Sequence, residues 1–115
     1  MFISHINRCN EIPIKMEGVK DVIKQVLIGP EQGWEDYTMR AFTIGSGGNT
    51  PLHSHPWLHV NFVISGEGVL TVSGRDHELS PGSIAYVPPD TEHQFKNPGR
   101  EKFVFICIVP AAGDK

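Results

Sequence analysis

Two stretches of this chain decide its fold: residues 47–66, GGNTPLHSHPWLHVNFVISG, and residues 82–97, GSIAYVPPDTEHQFKN. The first stretch contains three of the six histidines, beginning with His53 and His55. Because these two lie two residues apart, their side chains leave the same face of an extended chain. Imidazoles that converge in this way are suited to hold a divalent metal ion. The spacing therefore predicts strands that bring histidines together at a metal site.

Two further histidines complete the candidate site. His59 follows His55 by four residues, and His93 begins a short run in the second stretch. A helical zinc site built on His55 and His59 is disfavoured, because Pro56 stands where a metalloprotease helix carries glutamate. The alternative that these side chains merely pack or face solvent stays open at this point.

Short apolar runs alternate with turn residues along the rest of the chain. Gly and Pro together make up 21 of 115 residues, and no segment keeps a helical apolar period. We place a break at 45–48 and a turn at 74–76. This spacing of turns is typical of an all-β sandwich or barrel. The predicted strands are 22–28, 37–44, 59–65, 69–73, 83–87, 93–96 and 102–109.

Length and composition restrict the classes of function. A chain of 115 residues with 39% hydrophobic and 20% charged residues suits one globular domain. The net charge is −3 and the basic residues are scattered, so we expect neither nucleic acid nor a membrane surface as a partner. We find no membrane-length apolar run and no signal peptide. The two cysteines, Cys9 and Cys107, form no C-x-x-C pair, and we expect a cytoplasmic protein.

The distribution of apolar residues on two strands bears on assembly. Val60, Phe62 and Ile64 share one face of the predicted strand 59–65, and the run 103–109 is apolar on both faces. A small barrel has only one interior, so something must cover part of its outside. An N-terminal strand is one candidate, and a second copy of the chain is the other. We expect a homodimer.

The two stretches together resemble the paired motifs of the cupin superfamily, G-x5-H-x-H-x3,4-E-x6-G and G-x5-P-x-G-x2-H-x3-N. Eight of the ten motif positions agree at matching spacing, and His59 and Asp90 are the two departures. The matching positions are Gly47, His53, His55, Gly66, Gly82, Pro88, His93 and Asn97. The chain most resembles small single-domain cupins with a four-histidine site of the manganese type.

The resemblance implies a double-stranded β-helix, or jelly-roll, barrel over residues 22–110, preceded by an arm over 1–21. It also implies one divalent metal on His53, His55 and His93, with His59 at the ligand position where most relatives have glutamate. Four neutral imidazoles leave the ion its full +2 charge, which favours an anionic or chelating substrate. Imidazole ligands suit zinc, copper, iron and nickel, and manganese usually prefers oxygen donors. The resemblance adds manganese, so manganese or iron is favoured, with nickel, copper and zinc possible. A closed tetrahedral zinc site is the structural alternative.

Three other residues are candidates for a substrate pocket. Trp57 lies between two of the histidines and would wall the pocket or cover the core as a rim aromatic. Arg40 sits in an apolar run, where an inward side chain would anchor a carboxylate and an outward one would meet solvent or a partner. Cys107 would face the cavity or act as a small buried hydrophobe. Asp90 replaces a turn glycine, and aspartate tolerates the left-handed backbone such a turn requires.

These features favour an enzyme acting on a small molecule. We predict a metal-dependent, dioxygenase-like oxidoreductase, because such chemistry needs no protein base and no confident general base is evident. Decarboxylation and isomerisation are less favoured, since relatives that perform them usually use a carboxylate. The alternative is a non-catalytic cupin that binds a metal or metabolite, and a metal-free sugar-binding cupin is less favoured still. The substrate itself is not set by the motifs.

Overall fold

The computed structural model describes residues 1–114, which form a curled antiparallel sheet of nine strands with three short 3₁₀ helices. All strand pairs are antiparallel, and the curled sheet forms the predicted jelly-roll barrel. The 3₁₀ helices span Ile6–Arg8, Pro30–Gln32 and Ala111–Gly113. The strands are β1 (Ile12–Pro13), β2 (Lys20–Ile28), β3 (Tyr37–Asn49), β4 (His59–Ser65), β5 (Gly68–Val72), β6 (Arg75–Leu79), β7 (Ile84–Val87), β8 (His93–Lys96) and β9 (Phe103–Pro110).

The long strand β3 joins the two halves of the barrel. Its pairing neighbours are β2 on one side and β9 on the other, and its end reaches β8 through the pair Asn49 and Lys96. One half contains β2, β3, β9, β4 and β7, and the other contains β6, β5 and β8. Side chains from both halves therefore meet in one interior, as in other closed β-architectures.

Aromatic side chains fill this interior. Phe103 and Phe105 on β9 are fully buried, and Phe105 stacks on Phe95 with ring centroids 4.1 Å apart. Alternation along β9 places these rings, Cys107 and Val109 inward and leaves the residues between them half-buried. The interior is thus packed at one end, and the aromatic rings form the floor beneath the histidines at the other.

The outer face of β4 remains open. Val60, Phe62 and Ile64 are 42–48% exposed, whereas His59, Asn61 and Val63 on the opposite face are buried, which confirms the predicted division of faces. The N-terminal segment lies elsewhere, since the Gln25 amide on β2 donates to the carbonyl oxygens of Ile6 and Cys9. An N-terminal strand therefore does not cover β4.

Six of the seven predicted strands agree with the structure to within two residues, and the seventh differs because of its glycines. The break predicted at 45–48 is wrong: β3 continues to Asn49 through an irregularity opposite β2. Gly47 adopts φ +78°, and a Cβ on Gly48 would crowd the Lys20 carbonyl oxygen. The glycines thus permit a bulge and a close approach of strands instead of ending the strand.

Strand β6 was missed, because the turn predicted at 74–76 overlaps its first residues. Four of its five residues are exposed and only Leu79 is buried, so the strand lacks the apolar alternation that marks a half-buried strand. Its register with β5 pairs Val72 with Arg75, which confines the turn to Ser73 and Gly74. Asp90, by contrast, adopts φ +61° as predicted for its turn.

The side chain of the motif residue Asn97 connects β3 to the turn that leads to β9. Its buried amide donates to the carbonyl oxygens of Ile44 (2.9 Å) and Glu101 (2.7 Å), and its Oδ1 accepts from the backbone N–H of Gly99 (3.0 Å). It therefore satisfies three backbone groups at once.

We expect Asn97→Ala to lower the free energy of unfolding by about 2–4 kcal/mol, because it leaves buried backbone groups without partners. Chemical denaturation measures this change. Ser46→Ala, which removes one exposed hydrogen bond to the Gly99 carbonyl, is the matched control and should have a small effect. Equal effects of the two substitutions would contradict this stabilising role of Asn97.

Candidate metal centre

His53 and His93 face each other across an isolated antiparallel bridge. The backbone N–H of His53 donates to the His93 carbonyl at 3.1 Å, and the reverse bond measures 2.9 Å. His93 is the first residue of β8, whereas His53 lies in the connection between β3 and β4. Directly opposed residues in such a bridge place their side chains side by side, and the two ring centroids are 4.8 Å apart.

His55 joins this pair because its connection is held in place on both sides. Its carbonyl oxygen accepts from the Asp90 backbone N–H at 2.7 Å, and its Nδ1 lies 2.8 Å from the Trp57 carbonyl oxygen. The Trp57 indole stacks on the imidazole with 11° between the planes. The ring of His55 is thereby fixed 4.9 Å from that of His93.

His59 enters from β4 and is almost completely buried. Its Nδ1 lies 2.6 Å from Asn61 Oδ1, and its Nε2 lies 3.1 Å from His93 Nε2. The Asn61 amide nitrogen donates to the Ile106 carbonyl oxygen at 3.3 Å, which assigns the amide oxygen to the side facing His59.

The tautomers of three imidazoles follow from these partners. Because the Nδ1 atoms of His55, His59 and His93 each face an oxygen acceptor, that nitrogen carries the proton. Nε2 is then left with a lone pair, which is the arrangement that orients histidine ligands in metal sites.

The contact between two Nε2 atoms tests whether these residues fit a metal. Two lone pairs facing each other at 3.1 Å repel, and a cation between them removes the repulsion. Two nitrogens that each lie about 2.1 Å from one ion are about 3.0–3.4 Å apart, depending on the coordination angle. The Nε2 atoms of His59 and His93 would therefore be able to share a metal ion.

Burial keeps the imidazoles in the neutral, ligand form. It lowers the pKa of His59 to about 3 and that of His53 to about 4, and the nearby His93 ring adds to both shifts. Burial also lowers the pKa of His93. All three are uncharged at neutral pH, as metal binding requires.

One ligand atom each from His53, His55 and His93 lies within 4.8 Å of the other two, so these three residues form a group that could hold a metal. His59 lies outside this group and meets it through the contact with His93. The structure thus places all four predicted ligands together, three of them as a compact set. The fourth position stays a prediction.

A cavity of about 260 Å³ adjoins the histidines. All four histidines line it, together with the three residues predicted for a substrate pocket, Trp57, Arg40 and Cys107. Arg40 points inward, and its Nη2 lies 3.0 Å from the Cys107 sulfur. Burial raises the pKa of the Cys107 thiol, so the sulfur is uncharged at neutral pH.

Residues 40–109, more than half of the chain, match the cupin domain family. This chain belongs to the cupin family. None of the helices in residues 1–114 has the length and hydrophobicity needed to cross a bilayer.

A sequence match and a structural match to this cupin both come from Rhodospirillum rubrum. The chain is 31% identical over 77 residues to 1-methylthio-D-xylulose 5-phosphate methylsulfurylase. The aligned region covers 67% of this chain and 49% of the relative. It thus spans about half the length of that protein. A solved cupin-2 domain from the same organism is 26% identical, has a TM-score of 0.86, and matches 99% of this chain and 77% of its own.

The polyketide cyclase RemF from Streptomyces resistomycificus is also similar in structure. Its TM-score is 0.91 at 25% identity, with 96% of this cupin and 80% of the cyclase covered. These proteins share the barrel, while a barrel alone does not fix a substrate.

Sequence analysis missed three residues that complete the surroundings of the site. Lys24 lies at an inward position of β2, and its alternation with Val22 is a signal that could have identified it. Asn61 shares a strand face with His59, which could have suggested its hydrogen bond. Asp114, which lies 2.7 Å from Lys24 Nζ, carries no signal, because only the folded chain brings it there.

Proposed function

We propose that this cupin holds one divalent metal ion on His53, His55, His59 and His93. We further propose a dioxygenase-like oxidoreductase acting on a small oxygen-chelating or anionic compound. The observation that carries the proposal is the convergence of imidazole nitrogens at the cavity, with three Nδ1 atoms anchored to oxygen acceptors. Manganese and iron remain the favoured metals.

The character of the cavity supports oxidation over decarboxylation or isomerisation. A bound metal of this kind would polarise oxygen ligands and support redox chemistry. Within the described residues, no aspartate or glutamate is among the residues that line the cavity, and the neighbouring Asp114 carboxylate is paired with two cations, Lys24 and Arg40, which disfavours it as a base. Trp57 and Phe95 also line the cavity, where their rings would pack against a planar substrate.

Metal analysis of untagged protein by mass spectrometry, with electron paramagnetic resonance on the same sample, tests the metal. Near one equivalent of manganese, iron, copper or nickel supports the proposal. A full equivalent of zinc would favour the closed structural site or non-redox chemistry. Absence of metal, with none taken up on titration, would overturn the site.

Oxygen consumption tests the reaction class. Metal-loaded protein is incubated with catechols, diketones and flavonoids in an oxygen electrode, with the His93→Ala protein as the matched blank. Substrate-dependent uptake that the variant lacks supports the proposal. Binding of these compounds without oxygen uptake would support the non-catalytic alternative.

A second candidate function rests on the methylsulfurylase relative, whose name includes a pentulose 5-phosphate. By this analogy the cavity would take a small sugar phosphate and convert it without oxygen. The polarising effect of a metal on a carbonyl oxygen suits such chemistry too. Turnover of a sugar phosphate under nitrogen would favour this candidate over the oxidoreductase.

We also propose that the chain is a homodimer whose interface includes the open face of β4 and β7. Ile84 (79% exposed) and Tyr86 (60%) on β7 extend the apolar patch of Val60, Phe62 and Ile64. Strand β7 ends the path of paired strands, and a two-fold axis beside it would make the patch self-complementary. An apolar patch of this kind indicates an interaction surface.

Phe62→Glu is expected to shift the protein from dimer to monomer, because a charge at the centre of an apolar interface loses its hydration. Analytical ultracentrifugation measures the shift. Val26→Glu, at an exposed apolar position on β2, is the matched control and should leave the dimer intact. A monomeric wild-type protein would contradict the proposal.

A further inference from the structure

Lys24 is a buried cation that the metal site does not use. It is 8% exposed, its ammonium lies 2.7 Å from Asp114 Oδ1, and it lines the same cavity as the histidines. Buried lysines are rare unless paired, because desolvating the charge is costly. The pair with Asp114 offsets this cost, but the carboxylate is shared with a second cation.

Arg40 is that second cation. Its Nη1 lies 3.6 Å from Asp114 Oδ1, and its Nη2 donates to the uncharged Cys107 sulfur. Within residues 1–114, its buried Nε has no hydrogen-bond acceptor, and Asp114 Oδ1 contacts the two cations without a hydrogen bond of good geometry. Among the described residues, two cations thus share one carboxylate, which leaves a net positive charge and an unused donor in the cluster. A buried donor without a partner is unfavourable and is commonly satisfied by a ligand or water.

The cation cluster is connected to the histidines across the sheet. Arg40, Cys107 and Asn61 are neighbours on β3, β9 and β4, all facing inward. Asn61 in turn contacts His59 through its Oδ1 atom, and Arg40 and His59 both line the cavity. One molecule in the cavity can therefore reach both the imidazoles and the cations.

We propose that Lys24 and Arg40 form an anion subsite that binds a carboxylate of the substrate, in competition with Asp114 for the two cations. Asp114 itself shows that a carboxylate fits between them. Guanidinium and ammonium groups bind such oxyanions through charge-assisted hydrogen bonds. The subsite deepens the proposed function by assigning the substrate class as a carboxylate that also carries the group facing the histidines.

Titration calorimetry with benzoate and its neutral analogue benzamide tests the subsite on the metal-loaded full chain. Benzoate is expected to bind at least about tenfold more tightly than benzamide, as hydrogen bonds to charged groups provide. Lys24→Met should remove most of that preference. Lys20→Met, at an exposed position on the same strand, is the matched control and should retain it.

Asp114→Asn provides a change of opposite sign that misfolding would not imitate. Removing the competing carboxylate frees both cations, so benzoate should bind several-fold more tightly than to the wild-type protein. Weaker or unchanged benzoate binding by Asp114→Asn would overturn the proposal that Asp114 competes with the ligand for the two cations. Equal binding of benzoate and benzamide by the wild-type protein, or equal effects of the two lysine substitutions, would overturn the subsite.

Two further measurements test the anion subsite independently of the proposed metal site. Benzoate preference that survives treatment with EDTA supports the cations as its source, whereas its loss would assign the carboxylate to the metal and overturn the subsite. Tighter binding of phenyl phosphate than of benzoate would overturn the choice of carboxylate. Metal content is measured on each variant, so failure of the metal site is detected independently of anion binding.

Discussion

His93→Ala is expected to lower the affinity for the proposed metal by at least about 100-fold. Loss of a residue that only hydrogen-bonds to a metal ligand lowers the affinity less, by about 10–100-fold. His93 is the imidazole shared by every part of the cluster: it pairs with His53 in the bridge and lies 3.1 Å from His59. Removing it separates the remaining ligands. Metal content after dialysis against a competing chelator measures the effect. His77→Ala, at an exposed histidine on β6, is the matched control.

The same measurement on His59→Ala distinguishes three protein ligands from four. We expect a loss of the same order as for His93→Ala, because we propose His59 as a ligand. Asn61→Ala should lower the metal affinity by about 10–100-fold, because Asn61 Oδ1 accepts the Nδ1 proton of His59 and thereby orients that ring. If both variants retain the wild-type affinity, His59 is not a ligand and the site consists of His53, His55 and His93.

The stability of the metal-free protein is expected to fall steeply as the pH is lowered from 7 to 5. Burial lowers the pKa of His59 to about 3 in the folded state, against about 6.5 in the unfolded chain. The unfolded state therefore binds more protons between these values, and the free energy of unfolding decreases as the pH falls below about 6.5. His59 alone should account for about 2 kcal/mol between pH 6.5 and 5.

Denaturant unfolding of the metal-free protein at several pH values measures this dependence. His59→Leu should flatten the curve, because its side chain takes up no proton in either state, while His77→Ala should retain the wild-type slope. The lowered pKa of His53, about 4, contributes less to this loss, because the residue is exposed and solvent screens its interactions. Parallel curves for the wild-type protein and His59→Leu would show that His59 does not stay neutral in the folded state.

Local pattern was sufficient for most of the fold. Turn residues and alternation identified six strands to within two residues, because each of these strands has an apolar face and ends at a turn. The two errors have different causes. The glycines after Ile44 allow a bulge where sequence rules predict an end, and β6 has almost no buried face to give a signal.

The sequence by itself determined the family, the barrel and the identity of four histidines that meet at one cavity, because motif spacing and strand period are local properties of the chain. The Nδ1 partner of each of three rings is also local, since Trp57, Thr91 and Asn61 each lie two residues from the histidine that they contact. The approach of His59 to His93 is different, because only the folded barrel brings their Nε2 atoms within 3.1 Å across 34 residues of chain.

The tertiary structure alone also decided that Lys24, Arg40 and Asp114 meet. These three residues come from β2, β3 and the turn after β9, and the ion pairs between them span up to 90 residues of chain. Charge pairing over such separations depends on strand order and register, which local preferences do not encode. The proposed metal-binding histidines could be identified from the sequence because three of them stand at motif positions and His59 replaces the motif glutamate, whereas the cation cluster required the folded barrel.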